Sequence, residues 1–191
     1  HGGETMRERR NGEEPVTFKL PSGGELARLA ALLLVALLLQ TTVAPNIHLL
    51  GASPDFALII VVSVALLRGC ETGAAFGFLT GVLVGVALLE PLGMTSLVFV
   101  VVGYFAGRYA ETADLSAPVA PLVAVFAATL VASTLLATLQ YLLERQVPVA
   151  FWAGRVLVPS LVLNTLLAAV FYLFARWVLG GKEVLRARQA A

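Results

Sequence analysis

The sequence contains few charged residues, and this scarcity excludes the commonest class of protein. Lys, Arg, Asp and Glu together make up 13% of the 191 residues, whereas 59% are hydrophobic. A soluble domain usually carries about 25% charged and about 45–50% apolar residues. Disorder is excluded as well, because it requires low hydrophobicity and high charge. The mean hydropathy of +0.89 therefore indicates a multi-spanning membrane protein.

Cysteine, net charge and catalytic motifs are also scarce, and each absence excludes a function. One cysteine cannot form a disulfide framework, a C-x-x-C redox pair or a cysteine zinc site. A net charge of +1 argues against nucleic-acid binding. The sequence has no H-E-x-x-H, G-x-S-x-G or P-loop motif, and its apolar segments hold almost no ionisable group at mid-depth. We therefore expect no catalytic residues, metal or cofactor, and a scaffold or binding module rather than an enzyme or pump.

Long apolar runs fill most of the chain. A membrane-spanning helix needs about 20 apolar residues, and the lipid core cannot solvate an open backbone. Because the runs are continuous rather than alternating, we predict a compact all-α bundle of about six transmembrane helices. The second run has only 14 residues, which is short for a full crossing. The runs are Leu26–Ala44, Pro54–Leu67, Gly73–Leu89, Met94–Tyr109, Pro121–Leu143 and Val156–Val178.

Polar tails flank this predicted membrane domain, which covers residues 25–179. Residues 1–24 read as a flexible cytoplasmic tail, in which residues 1–5 are expected to be the remnant of an expression tag and Met6 the native start. Residues 180–191 form a short basic tail. Eleven of the 13 Lys and Arg residues lie on the N-terminal side of a six-span topology. Since cytoplasmic segments are rich in basic residues, we predict that both termini are cytoplasmic.

Small residues recur at intervals of four, which places them on one face of a helix. Glycine at such positions lets another helix approach closely. We predict helix packing or a partner interface, and intramolecular packing is the favoured of the two. The positions are Gly69, Gly73, Gly77, Gly81 and Gly85, then Gly103 and Gly107, and, in the first run, Ala27 and Ala31.

Two polar residues in the apolar runs are predicted to be structural. Asp55 follows Pro54 at the start of the second run, where an acid stabilises the positive end of a helix. Asn164 lies within the sixth run and needs a hydrogen-bond partner on another helix, while Pro159 predicts a kink nearby. Proton transfer by Asp55 and ligand contact by Asn164 are the alternatives.

Several short motifs, in order and spacing, resemble the MreD family of bacterial rod shape-determining membrane proteins. They are Gln40–Pro45, Gly51–Asp55, Arg68-Gly69, Gly73–Leu83, Pro91–Gly93 and Val102–Arg108, with Pro159, Asn164 and Tyr172 in the last run. One position departs from the family pattern. Gly85 stands where members commonly carry an acid, and Glu90 is the nearest acid.

The resemblance implies a non-enzymatic scaffold of the cell-elongation machinery (the elongasome) in the bacterial inner (cytoplasmic) membrane. It also implies that the protein binds MreC, which has one membrane helix and an extracytoplasmic domain. Through MreC it would support RodA, a class B transpeptidase and MreB filaments in peptidoglycan synthesis. The glycines would seat the MreC helix or compact the fold that seats it. The tail residues Lys182, Arg186 and Arg188 would contact membrane lipids or filaments.

Six compact spans in about 190 residues also resemble the substrate-binding component of an energy-coupling-factor vitamin transporter. Under this alternative, the Ala27-xxx-Ala31 face would dock a coupling subunit. A ligand pocket near the outer face would then be lined by Asn46, His48, Glu90 and Arg155. Both interpretations can share one architecture, since fold does not determine function.

Overall fold

The computed structural model describes residues 23–47, 53–91, 93–113, 119–143 and 157–180, and six helices make up nearly all of this part of the chain. The helices are α1 (Gly23–Leu38), α2 (Phe56–Arg68), α3 (Cys70–Ala87), α4 (Met94–Thr112), α5 (Ala120–Leu142) and α6 (Val158–Val178). A π turn (Leu39–Val43) and a 3-10 turn (Ala44–Asn46) extend α1. Each predicted run overlaps one helix. Most of both predicted tails lies outside the described residues.

Four of these helices are long and apolar enough to cross a membrane: α1 with its extension, α3, α5 and α6. Six full spans were expected, and four helices have the length and composition that a span requires. The helix α4 is not among the four, because the charged residues Arg108 and Glu111 near its C-terminal end lower its mean hydropathy. In α2, 13 residues at about 1.5 Å each give about 20 Å, against about 30 Å for the hydrocarbon core.

The short helix α2 lies at the centre of the bundle, where it contacts all five other helices. Twelve of its 13 residues are buried, so it has no face left for lipid. Its sequence, FALIIVVSVALLR, is apolar on every side, as expected of a helix that others enclose. The hydroxyl of Ser63 donates to the Ile59 carbonyl of the same helix at 2.7 Å, so this polar group is satisfied without a neighbour.

A single residue, Gly69, turns the chain from α2 into α3. Its φ of +94° belongs to a region that glycine adopts without steric cost. Its N–H donates to the Ala65 carbonyl at 2.8 Å, and its carbonyl accepts from the Gly73 N–H at 3.0 Å. The end of α2 and the start of α3 are therefore both hydrogen-bonded without an intervening loop.

The two ends of the bundle differ in charge. All the arginines in the described residues lie where α2 ends, and we call this the arginine end. Asp55 and Glu90 lie where α2 begins, and we call this the carboxylate end. The arginines are Arg28, Arg68, Arg108 and Arg176. These arginines lie near the start of α1 and the ends of α2, α4 and α6, which meet at one side because successive helices run in opposite directions.

One arginine connects three helix ends at the arginine end. The Arg68 guanidinium, at the last residue of α2, pairs with the Glu25 carboxylate of α1. It also donates to the carbonyl of Leu179, just after α6, at 3.4 Å. The side chain is only 15% exposed, so this cluster closes the bundle on that side.

Candidate functional site

The backbones of α3 and α4 touch along a line of glycines, which we call the glycine seam. It consists of Gly73, Gly77 and Gly81 on α3 and Gly103 and Gly107 on α4. A Cβ built on Gly77 would lie 2.8 Å from the carbonyl carbon of Phe99, and one on Gly81 would lie 2.7 Å from the nitrogen of Ser96. Both obstacles are backbone atoms, so a side-chain rotation cannot relieve the clash.

The seam has an antiparallel register with a step of four residues. Gly73 faces Gly103, and one turn further along α3, Gly77 faces Phe99. At the other end of the seam, Gly107 faces Cys70. Each turn up α3 therefore meets a turn down α4, and the predicted glycine face is used for packing within the chain. A partner helix finds no space there unless α4 moves away.

Four small residues of the predicted interface lie outside the seam, and one of them, Gly69, forms the turn between α2 and α3. A Cβ on Gly85 would meet nothing within 4 Å, because α4 begins only at Met94 and does not reach it. Ala27 and Ala31 are exposed on α1, the least buried of the four long apolar helices. These two alanines therefore remain available to a second chain.

Side chains from three segments satisfy the first turn of α2. The Asp55 carboxylate accepts from the Leu58 N–H at 3.0 Å and caps the helix. The amide oxygen of Gln40 accepts from the Ala57 N–H at 3.2 Å. The amide oxygen of Asn164 accepts from the Asp55 N–H at 2.9 Å. Because the first N–H groups of a helix have no partner within it, these contacts satisfy the start of α2.

Both the oxygen and the nitrogen of the Asn164 amide form hydrogen bonds within the bundle. Besides its contact with Asp55, its nitrogen donates to the hydroxyl of Thr129 on α5 at 3.3 Å. The residue is 1% exposed. Asn164 therefore links α2, α5 and α6, which is the packing role favoured on sequence grounds.

A polar cavity of about 170 Å³ adjoins this cluster at the carboxylate end. Four segments of the chain line it, namely the extension of α1, the start of α2, α5 and α6. Its polar lining residues are Gln40, Ser53, Asp55, Thr129, Ser133, Ser160 and Asn164. Such a cavity is unusual in an apolar bundle, because polar surface at membrane depth is costly unless something occupies it.

Sequence reasoning missed three hydroxyl residues of this cavity. Thr129 and Ser133 lie four residues apart on α5, and so do Ser160 and Asn164 on α6. Residues at this spacing share a helix face. Two such pairs on adjacent antiparallel helices could have indicated a polar cavity. Each pair alone is typical of ordinary helix packing.

Pro159 lies near the edge of the described residues, which on this side begin at residue 157. The residue is in the first turn of α6, which begins at Val158. Proline is tolerated there because the first turn has no intrahelical partner for its N–H. Pro159 therefore suits the start of α6, and the kink predicted near it stays a prediction because residues 144–156 lie outside the described residues.

A second, apolar cavity of about 120 Å³ lies between α4 and α5. Its floor consists of small side chains, and Phe105, Tyr109 and Val131 stand at its edges. The small residues are Ala106, Ala124, Ala127 and Ala128. It has no polar cluster comparable to that of the other cavity.

The four residues expected to line a ligand pocket in the transporter alternative do not come together in the described residues. Asn46 donates to the carbonyl of Thr42, in its own turn. Glu90 accepts from the hydroxyl of Thr95. Neither lines the polar cavity, and His48 and Arg155 lie outside the described residues, as do Lys182, Arg186 and Arg188.

In the described residues, an all-helical bundle with four helices long and apolar enough to cross a membrane, and with its arginines at one end, indicates a membrane protein. The sequence profile of one family, described as rod shape-determining protein MreD, matches residues 24–179. This match covers most of the chain, so the chain belongs to the MreD family, and the resemblance predicted from its motifs is confirmed. The family implies a role in determining rod shape. Neither a curated protein nor a solved structure matches the chain significantly.

Proposed function

We propose that this protein is a non-enzymatic scaffold that maintains rod shape from within the bacterial inner membrane. The family match over residues 24–179 carries the proposal. The distribution of arginines supports an orientation with the arginine end and both termini in the cytoplasm, since basic residues favour that side. The tail residues Lys182, Arg186 and Arg188 would then lie against anionic lipid headgroups.

The scaffold acts by binding MreC and, through it, RodA, a class B transpeptidase and MreB filaments. The connections at the carboxylate end, around residues 47–53, 88–93 and 144–156, are short. They give the chain little reach outside the membrane. A single-span partner with an extracytoplasmic domain would supply that reach and carry the scaffold's influence to peptidoglycan synthesis.

The outer face of α1 is the surface we propose for the MreC helix, because the glycine seam is already occupied by α4. Ala27 and Ala31 are exposed there. Leu34 and Leu38 continue the same side and are 57% and 58% exposed. Small residues beside large ones form a shallow groove into which a second helix packs closely.

Substitution of the two alanines tests this surface. In the double variant Ala27→Leu/Ala31→Leu, two bulky side chains hold the partner helix away from α1. We expect copurification of MreC in mild detergent to fall at least tenfold, measured by native mass spectrometry of the eluted complex. Ala75→Leu places the same side chain on an exposed position of α3 and should leave copurification unchanged.

Two results would change the assignment. If Ala127→Leu, which fills the apolar cavity between α4 and α5, abolishes copurification and the α1 variant does not, the docking surface lies at that cavity. If the purified protein instead carries a vitamin-sized molecule and an ATPase module, the transporter alternative replaces the scaffold. The polar cavity is the observation that keeps this alternative open to test.

A further inference from the structure

The polar cavity at the carboxylate end retains hydrogen-bonding groups that the fold does not use. Asn164 uses both ends of its amide, and one oxygen each of Gln40 and Asp55 is bonded to α2. Within the described residues, no hydrogen bond occupies the second oxygen of Asp55 or the hydroxyls of Ser133 and Ser160. The cavity therefore presents three acceptor oxygens, contributed by three helical segments, to whatever fills it.

Among the described residues, the same end of the bundle carries two carboxylates and no lysine or arginine. Its ionisable residues are Asp55 and Glu90, and all the arginines of that part lie at the arginine end. The start of α2 offers only about half a positive charge. A partly buried carboxylate is stabilised by a cation that pairs with it, so a positively charged occupant would suit the cavity.

We propose that this cavity binds a primary ammonium group, with the Asp55 carboxylate as its counter-charge. An ammonium group has three N–H donors, which match the three acceptor oxygens of Asp55, Ser133 and Ser160. The amide nitrogen of Gln40 would donate to a hydroxyl or ester oxygen of the same ligand. A hard metal ion is a poorer match, because it prefers six or more oxygen ligands and only one carboxylate lines the cavity.

The cavity volume limits the size of the ligand. About 170 Å³ holds a few water molecules or a small amino alcohol. Ethanolamine has the required ammonium and hydroxyl groups. It exists both as a free amine and as the headgroup of phosphatidylethanolamine, so one chemistry has two sources.

Titration calorimetry of the purified full chain in detergent tests the proposal, with ethanolamine and choline as probes. Choline keeps the charge and the hydroxyl but has no N–H donors. We expect ethanolamine to bind and choline to bind at least tenfold more weakly. Asp55→Asn should weaken ethanolamine binding at least tenfold, and it should still fold because Asn caps helices as well as Asp does.

Neighbouring hydroxyls on α5 provide a matched control. Ser133→Ala removes a hydroxyl that lines the cavity and should weaken binding several-fold. Thr134→Ala removes an exposed hydroxyl that donates to its own helix, and it should have no effect. If Asp55→Asn does not fold, the choline comparison and Ser133→Ala still test the proposal.

Nanodiscs separate the two sources of the amine. Retention of phosphatidylethanolamine over phosphatidylcholine in native mass spectra, with displacement by free ethanolamine, would support a lipid headgroup as the ligand. Binding of free ethanolamine without lipid preference would support a soluble amine. Equal affinity of the wild type and Asp55→Asn, or no binding of ethanolamine at millimolar concentration, would overturn the proposal.

Discussion

Gly77 and Gly85 lie two turns apart on α3, yet an added methyl group meets opposite surroundings at these positions. At Gly77 it would strike the backbone of Phe99, whereas at Gly85 it would meet nothing within 4 Å. The spacing of four residues is the same throughout the series, so the sequence alone could not separate the two. The difference arises because α4 starts at Met94 and faces α3 only from Gly81 downward.

This contrast gives a prediction at the scale of a residue. Gly77→Ala should lower the free energy of unfolding by about 1–3 kcal/mol, because the clash forces the two backbones apart. Gly85→Ala should be neutral or stabilising by up to about 1 kcal/mol, since alanine favours a helix more than glycine does. Unfolding by SDS in mixed micelles measures both. Equal destabilisation by the two variants would show that α3 and α4 do not pack in this register.

At the polar cluster, the sequence predicted a residue's role only where its immediate neighbours in the chain explained that role. Asp55 directly after Pro54 suits a helix start, and it caps α2. Gln40, at the end of the first run, accepts from the Ala57 N–H. Its partner lies 17 residues away in a different helix, and no local pattern specifies such a contact.

At the scale of the helix, Arg68 is the residue that connects the ends of three helices. It pairs with α1 through Glu25 and reaches the end of α6 through the Leu179 carbonyl. The side chains of Arg68 and Glu25 are 15% and 35% exposed, respectively. A partly shielded pair is screened less by salt than an exposed one.

A double-mutant cycle measures this connection. With Arg68→Gln and Glu25→Gln, we expect a coupling free energy of about 1 kcal/mol, at the upper end of the range for accessible ion pairs. Arg108→Gln and Glu111→Gln form the control cycle. That pair lies within one helix and is 58% and 39% exposed, so its coupling should be about 0.2–0.5 kcal/mol. Equal coupling in both cycles would mean that Arg68 does not hold α1 to the bundle.

The helices could be predicted from the sequence, but their arrangement could not. Continuous apolar runs bounded by Pro, Gly and charged residues located all six. Because those runs are apolar on every side, they gave no indication of which face turns inward. The central position of α2 is an example of an arrangement that the sequence did not predict. Its short length was visible in the sequence, but enclosure by five other helices follows only from tertiary packing.

At the scale of the whole molecule, the separation of charges predicts which end faces the cytoplasm. Fusion of green fluorescent protein to either terminus should give a fluorescent product. Alkaline phosphatase inserted in the connection between α3 and α4, at the carboxylate end, should be active. Active phosphatase at the C-terminus would reverse the orientation, and it would remove the lipid contact proposed for Lys182, Arg186 and Arg188.

The enclosure of α2 also constrains the order in which the chain can be completed during translation. The ribosome delivers α2 second, while the four helices that cover most of its surface follow later. The amide of Asn164, which accepts from the Asp55 N–H, arrives last, with α6. A nascent chain that stops before α6 therefore lacks the partner of the Asp55 N–H and one of the five helices that enclose α2. The enclosure of α2 is therefore complete only when the final helix has been made.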